Sequence, residues 1–237
     1  MHTTFYGLLM DPIAILSGFG VGAIVGMTGV GGGSLMTPLL LTAFRLHPAV
    51  AIGTDLWFAA VTKSVGSVSH RRAGHVDRRL TGLLLAGSLP AALAAITLMH
   101  LAGLGKAWAG SLTFALGIAL LLTAITVAYR KAWHAVGLKL QRWIPEQRKP
   151  ALTVLSGVVL GVLVSLTSVG AGAIGATLLM LLHPRLDAHR VVGTDIAHAV
   201  PLTLVAGIGH ATLGHVDWPL LAALWSARSP ASGSAHN

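Results

Sequence analysis

His70-Arg71-Arg72-Ala73-Gly74-His75-Val76-Asp77 returns about 140 positions later as His210-Ala211-Thr212-Leu213-Gly214-His215-Val216-Asp217. In the same register Gly53-Thr54-Asp55 matches Gly193-Thr194-Asp195, and Arg45-Leu46 matches Arg185-Leu186. At one residue less, Ser17-Gly18 matches Ser156-Gly157, while Gly31 and Gly33 match Gly170 and Gly172. So many identities in one register are hard to obtain by chance, even in an apolar chain. The sequence reads as two copies of one unit, a glycine-broken apolar stretch followed by an acid-bearing span. Repeats of this kind are the usual architecture of secondary transporters, which place their site near the bilayer midplane between the halves.

Composition sets the solvent. Of 237 residues, 54% are apolar and 10% charged, and the mean hydropathy is +0.77. Soluble domains carry roughly 25% charged residues, so a water-soluble enzyme is excluded. The 29 glycines and 5% aromatics fit helices that approach one another closely in a membrane. The chain has no cysteine, which excludes disulfides, thiol catalysis and Cys-ligated metals. Lys and Arg outnumber Asp and Glu by 16 to 7. In a soluble protein that excess would point to nucleic acid. In a membrane protein it marks cytoplasmic loops, and no nucleic-acid partner is expected.

A spanning helix needs about 20 mostly apolar residues. Residues 80–101 and 108–129 meet this cleanly. Residues 49–69 do so while carrying Asp55 and Lys63, and residues 190–209 do so with Asp195 and His198 inside. The stretches 12–44 and 151–183 are apolar but too long for one straight span, and each is interrupted by glycines, at Gly29 to Gly33 and at Gly170 to Gly172. Each therefore reads as two short helices meeting at an unwound point. The N-terminus has no basic segment ahead of its apolar run and does not read as a secretory signal.

Charge sets an orientation. Arg71, Arg72, Arg78 and Arg79 lie in one loop, and Arg130, Lys131, Lys139, Arg142, Arg148 and Lys149 in another, two spans later. Both then face one side, the cytoplasm. The second copy's counterpart, His210 to Asp217, has no Lys or Arg, while Arg185 and Arg190 stand one span earlier. Inverted copies fit that distribution. The expected organisation is a first transmembrane repeat at 1–129, a basic cytoplasmic loop at 130–150 and a second, incomplete repeat at 151–237. The second copy is short because only Trp218 to Trp225 precede a polar tail, which favours a truncated product.

The run Gly29-Val30-Gly31-Gly32-Gly33 lacks the Gly-Lys-Ser/Thr ending and the preceding strand of a nucleotide loop. Unwound backbone in a bilayer is tolerated only where it is buried or lines a cavity. A helix starting after such a break offers free N–H groups and a positive dipole end to an anion. Close helix packing is the competing explanation for the glycines. Their recurrence makes Gly29, Gly31, Gly32, Gly33, Gly170 and Gly172 candidate substrate-lining residues. Asp55 and Asp195 are acids within apolar spans at matching positions, each costing at least about 2.5 kcal/mol on insertion scales, so function is the default reading. Helix capping or a local backbone bond is the alternative.

Lys63 stands eight residues beyond Asp55, about 12 Å along a helix, too far to pair with it directly. It needs a bound anion, another acid or water, and Thr203 stands at its counterpart position. Asp195 and His198 share a helix face and could relay or gate protons. His70, His75, His210 and His215 raise metal binding, but a spacing of five does not stack on one helix face, so interfacial solvation is expected instead. No metal or cofactor is expected.

Together these residues resemble the TauE/SafE family of membrane permeases, often called sulfite exporters. The resemblance rests on the G-V-G-G-G break with Pro38 following, G-T-D after the short second helix, and His70 leading to G-H-V-D. It implies export of small sulfur oxyanions or organosulfur anions such as sulfite or sulfoacetate. The fold class expected is an all-α integral membrane protein of two glycine-broken repeats, in the inner membrane of a bacterial host. The function expected is gradient-driven, alternating-access transport of a small anion. A cation or metal permease using Asp55, Asp195 and His198, and a non-transporting membrane scaffold, remain as alternatives.

Overall fold

The computed structural model describes residues 33–102 and 109–226, and their regular secondary structure is entirely helical. Chain order gives α1 (Gly33–Thr42), α2 (Pro48–Arg72), α3 (Arg78–Leu101), α4 (Ala109–Ala128) and α5 (Arg130–Leu140). A 3-10 turn at Glu146–Arg148 leads into α6 (Lys149–Thr167), α7 (Ala173–Leu182), α8 (Ala188–Thr212) and α9 (Trp218–Ser226). Among the described residues four stretches are long and apolar enough to cross a membrane: Arg78–Leu101, Gly110–Ala128, Glu146–Thr167 and Ala188–Thr212. Helix α2 matches α8 at 25 residues, about 37 Å, but Asp55 and Lys63 dilute its apolar character. Phe114, Ile118, Leu121 and Leu122 of α4 are exposed, as hydrocarbon contact requires.

Helices α2 and α8 form the centre, and they run antiparallel. Gly53, near the start of α2, lies against the carbonyl of His215, just beyond the end of α8. Gly193, near the start of α8, lies against the carbonyl of His75, just beyond the end of α2. A Cβ would sit 1.8 Å and 2.5 Å from those oxygens, so only glycine allows either approach. Apolar packing around Ile52, Leu56, Ala199, Leu202 and Ala206 seals the pair.

The two loops have one construction. Gly74 and Gly214 take left-handed φ values of 72° and 74°, which close the helices before them. His75 N–H returns to the His70 carbonyl at 2.9 Å and His215 N–H to the His210 carbonyl at 2.9 Å, the long bond of a Schellman ending. Asp77 then caps α3 by accepting from Arg79 N–H and Leu80 N–H, and Asp217 accepts from Leu220 N–H of α9. The Gly-His-Val-Asp motif is thus a helix stop followed by a helix start.

Helix α3 runs parallel to α6 at near backbone contact. Gly87 faces the Val154 carbonyl, Gly157 the Leu84 carbonyl and Gly161 the Ser88 carbonyl. This is the close approach that small residues permit in a bilayer. Helix α7 turns back along α6, with Gly175 beside Leu160 and His183 Nε2 hydrogen-bonded to Thr153 Oγ1 at 3.0 Å. The stretch expected to be two helices around a glycine break is therefore a hairpin that enters and leaves at one end. The basic segment after α4 is partly helical: α5 packs through Gly137 onto Met180 and Leu181 of α7.

Candidate functional site

The break between α6 and α7 decides the site. Ser168 ends α6 in the left-handed region at φ 59°, and Gly170 and Gly172 follow at 121° and 142°. Those angles are why the sequence places glycine there. Helix α7 begins at Ala173 with no side chain capping its first N–H groups. The unwound turn is buried among Val164, Val169 and Ala171.

Lys63 reaches this turn from α2. Its Nζ donates to the carbonyl of Ala171 at 2.5 Å, and the residue is 7% exposed. The sequence called for a partner outside its own helix, and the partner is a carbonyl freed by the glycine break. Lys63 also feels the charges of Asp195 and Asp55. Asp55 is fully buried, receives the hydroxyl of Thr37 from α1 and has the Ser168 hydroxyl beside it. Its Oδ1 has no hydrogen-bond partner among the described residues.

Asp195 projects from α8 against the first turn of α7. A Cβ on Gly175 would sit 2.0 Å from its Oδ1, so glycine makes room for the carboxylate there. That oxygen also lacks a hydrogen-bond partner among the described residues. The uncapped start of a helix is a favourable place for negative charge. His198, one turn on, is fully buried and hydrogen-bonds through Nε2 to Ser88 Oγ of α3 at 2.9 Å, leaving Nδ1 unbonded among the described residues.

The Gly-Thr-Asp motif now has three separate tasks. Its glycine admits the other copy's loop. Thr54 Oγ1 accepts from Asp217 N–H at 3.0 Å and Thr194 Oγ1 from Asp77 N–H at 3.0 Å, so each threonine ties that loop to the helix. The aspartate, one residue further, enters the interior. Asp55, Lys63, Asp195, Gly170 and Gly172 are thus brought to one polar interior, with His198 beside it. Gly33 opens α1, and Gly29, Gly31 and Gly32 lie outside the described residues.

Thr37, Ser88, Ser168 and the Ala171 carbonyl join this interior without having been singled out in the sequence. Matching Thr37 to Thr177 across the repeat was the available signal. Of the four loop histidines, His70, His75 and His215 are half-buried and only His210 departs from the expected solvation. The His70 and His75 rings lie 5.7 Å apart and those of His210 and His215 5.5 Å apart, because the left-handed glycine folds each second ring back. His210 is buried, with Nε2 hydrogen-bonded to the Ser165 carbonyl at 2.9 Å. Among the described residues no three His, Asp or Glu side chains gather as a metal ligand set.

Long apolar helices around a buried polar interior define an integral membrane protein of the transporter class. The profile of the sulfite exporter TauE/SafE family matches residues 14–231, and the chain belongs to that family. It is 42% identical over 218 residues to the probable membrane transporter protein YjnA of Bacillus subtilis, covering 91% of this chain and 85% of that one. It is 30% identical over 213 residues to the probable membrane transporter protein YdhB of the same organism, covering 88% and 82%. No solved structure matches it significantly. The chain is a membrane transporter, not an enzyme.

Proposed function

We propose that the protein is a permease of the cytoplasmic (inner) membrane that moves small sulfur-containing anions, sulfite or organosulfonate-like, by gradient-driven alternating access. The observation that carries this reading is the buried group of Asp55, Lys63 and Asp195, set where the glycine break meets the antiparallel α2–α8 pair. Residues 1–129 and 151–237 are inverted repeats joined by the basic segment 130–150, which faces the cytoplasm. The antiparallel run of α2 and α8 and the reciprocal docking of their loops support that inversion.

In this reading Gly29, Gly31, Gly32, Gly33, Gly170 and Gly172 line the path, and the uncapped start of α7 offers N–H groups to the anion. Lys63 supplies positive charge once it leaves the Ala171 carbonyl. Two ionised carboxylates outnumber one ammonium, and an unbalanced buried charge is costly. One proton makes the group neutral, and a second leaves a net positive charge for an anion to meet. Asp55 and Asp195 are the proton carriers or gates, with His198 adjoining. Anion and proton movements are thereby coupled.

Sulfite flux into proteoliposomes under an imposed pH gradient tests this. Flux that follows the gradient and disappears in Lys63→Ala is expected. The excess of acid over base also favours a second reading, a cation permease. Divalent-metal flux abolished by Asp55→Asn, with no response to any sulfur anion, would establish it. A protein with no substrate-dependent flux at all would be a scaffold.

A further inference from the structure

A polar cavity of about 260 Å³ lies at the basic end of the bundle, at the starts of α3 and α6. Arg79, Lys149 and His183 line it with Asp77 and Glu146, and Leu80, Leu83 and Leu186 supply an apolar wall. Its charges are unevenly committed. Asp77 is spent on capping α3 through Oδ1 and faces Arg190 at 3.7 Å through Oδ2. Arg79 has no carboxylate partner among the described residues. Lys149 is 7% exposed, an unusual burial for a lysine at a helix start. Its ion-pair partner, at 2.5 Å, is Glu146, whose side chain is 80% exposed on the 3-10 turn.

The start of α6 itself offers no free donor here, because Arg148 N–H and Lys149 N–H bond back to the carbonyls of Pro145 and Glu146 and Pro150 has no N–H, so the side-chain cations carry the recognition. Arg185 adds to the positive field around Glu146. Glu146 therefore sits on Lys149 as a tethered carboxylate at the mouth of the cavity, and an oxyanion that displaced it would meet both Lys149 and Arg79. A phosphate group matches this set, since two cations can meet its oxygens while the leucines accept adjoining apolar surface.

The geometry points to a phosphate-binding site formed by Arg79 and Lys149, gated by Glu146 and separate from the Asp55–Lys63–Asp195 interior. The chemistry is that of a phosphate oxyanion, carried by an anionic phospholipid headgroup or by free inorganic phosphate. Basic pockets between helices on one membrane face are typical headgroup sites.

The test is the melting temperature of detergent-purified protein at fixed ionic strength. Samples would contain phosphatidylglycerol, phosphatidylcholine, sodium phosphate or sodium chloride. Phosphatidylglycerol raising Tm by several degrees over phosphatidylcholine identifies a headgroup. Phosphate doing so over chloride identifies the free ion. In either case Arg79→Gln, at an exposed position, should remove most of the gain. Glu146→Gln should enlarge it and shift the half-maximal concentration down severalfold. Equal Tm in all four conditions, or a gain unchanged by Arg79→Gln, would overturn the site. A gain that Glu146→Gln leaves unchanged or reduces would overturn its gating. None of these readouts depends on transport, so their failure leaves the central-site reading untouched.

Discussion

Thr37 gives its hydroxyl to Asp55 across the α1–α2 corner, whereas Thr177, 140 positions on, gives its hydroxyl to the Ala173 carbonyl of its own helix at 2.7 Å. The two copies thus treat matching acids differently. Asp55 has a hydroxyl donor, while Asp195 rests against the first turn of α7 beside Gly175. Thr37→Val should cost about 1–3 kcal/mol, the usual penalty for stripping a partner from a buried polar group. Thr177→Val should cost well under 1 kcal/mol, because it removes only a bond to a carbonyl already used within the helix. Thermal unfolding in detergent reads both, and equal losses would show that the difference between the copies has no energetic content.

Charge balance yields a sharper test at the centre. Lys63→Met leaves two buried carboxylates without their ammonium, and Asp195→Asn removes one of the acids. Removing one partner of a direct buried pair typically costs about 3–5 kcal/mol, and these charges, which stand beyond ion-pair distance, should couple by less. Lys63→Met should therefore destabilise, and adding Asp195→Asn should recover part of the loss. A double-mutant cycle on Tm measures that coupling. Simple additivity would separate the two side chains energetically.

The two acid-bearing helices and one glycine break were legible in the sequence, to within a few residues at the helix ends. Helices α2 and α8 start at Pro48 and Ala188, as the register of Gly-Thr-Asp and Gly-His-Val-Asp requires, and the glycine break falls between α6 and α7. The partner of Lys63 was not legible, because a backbone carbonyl leaves no residue signature. Thr37 was hidden because a threonine within a helix ordinarily bonds back to its own turn, as Thr177 does. The paired histidine rings were missed because helix-face arithmetic ends where Gly74 and Gly214 turn left-handed. Packing glycines were equally opaque, since Gly82 and Gly87 look alike in sequence.

Those two glycines differ in the fold. A Cβ on Gly87 would lie 2.0 Å from the Val154 carbonyl oxygen, a collision with backbone that only separation of α3 from α6 relieves. A Cβ on Gly82 would meet nothing within 4 Å. Gly87→Ala should lower Tm by several degrees, and Gly82→Ala should leave it level or raise it through the helix preference of about 1 kcal/mol for alanine. Matching effects at the two sites would contradict the parallel α3–α6 contact.

His183 provides a pH test at the basic end. Burial, then the neighbouring Lys149, hold its imidazole below the ordinary 6.5. As pH falls through 6.5 the unfolded chain takes up this proton first, so the folded state loses stability until the lower folded value is passed. Above that window His183 is neutral in both states and adds nothing to the pH dependence. Wild-type Tm should therefore fall more steeply below pH 6.5 than that of His183→Gln. Parallel curves for the two proteins would remove His183 from the acid response.

The loops carrying Gly-His-Val-Asp fix the topology test. Loop 73–77 meets the start of α8 and loop 213–217 the start of α2, at opposite ends of two antiparallel helices. A 25-residue helix is about 37 Å long, longer than the roughly 30 Å hydrocarbon core, so the loops should emerge on opposite faces. With four arginines beside it, the first loop is expected on the cytoplasmic side. The chain has no cysteine, so Ala73→Cys and Thr212→Cys, both at exposed positions, can be labelled without background. A membrane-impermeant thiol reagent applied to intact cells should reach Thr212→Cys alone, and permeabilisation should add Ala73→Cys. If both sites reacted only after permeabilisation, the two loops would share a face. Helices α2 and α8 could not then cross the bilayer in opposite senses, and the inverted-repeat reading would fall with them.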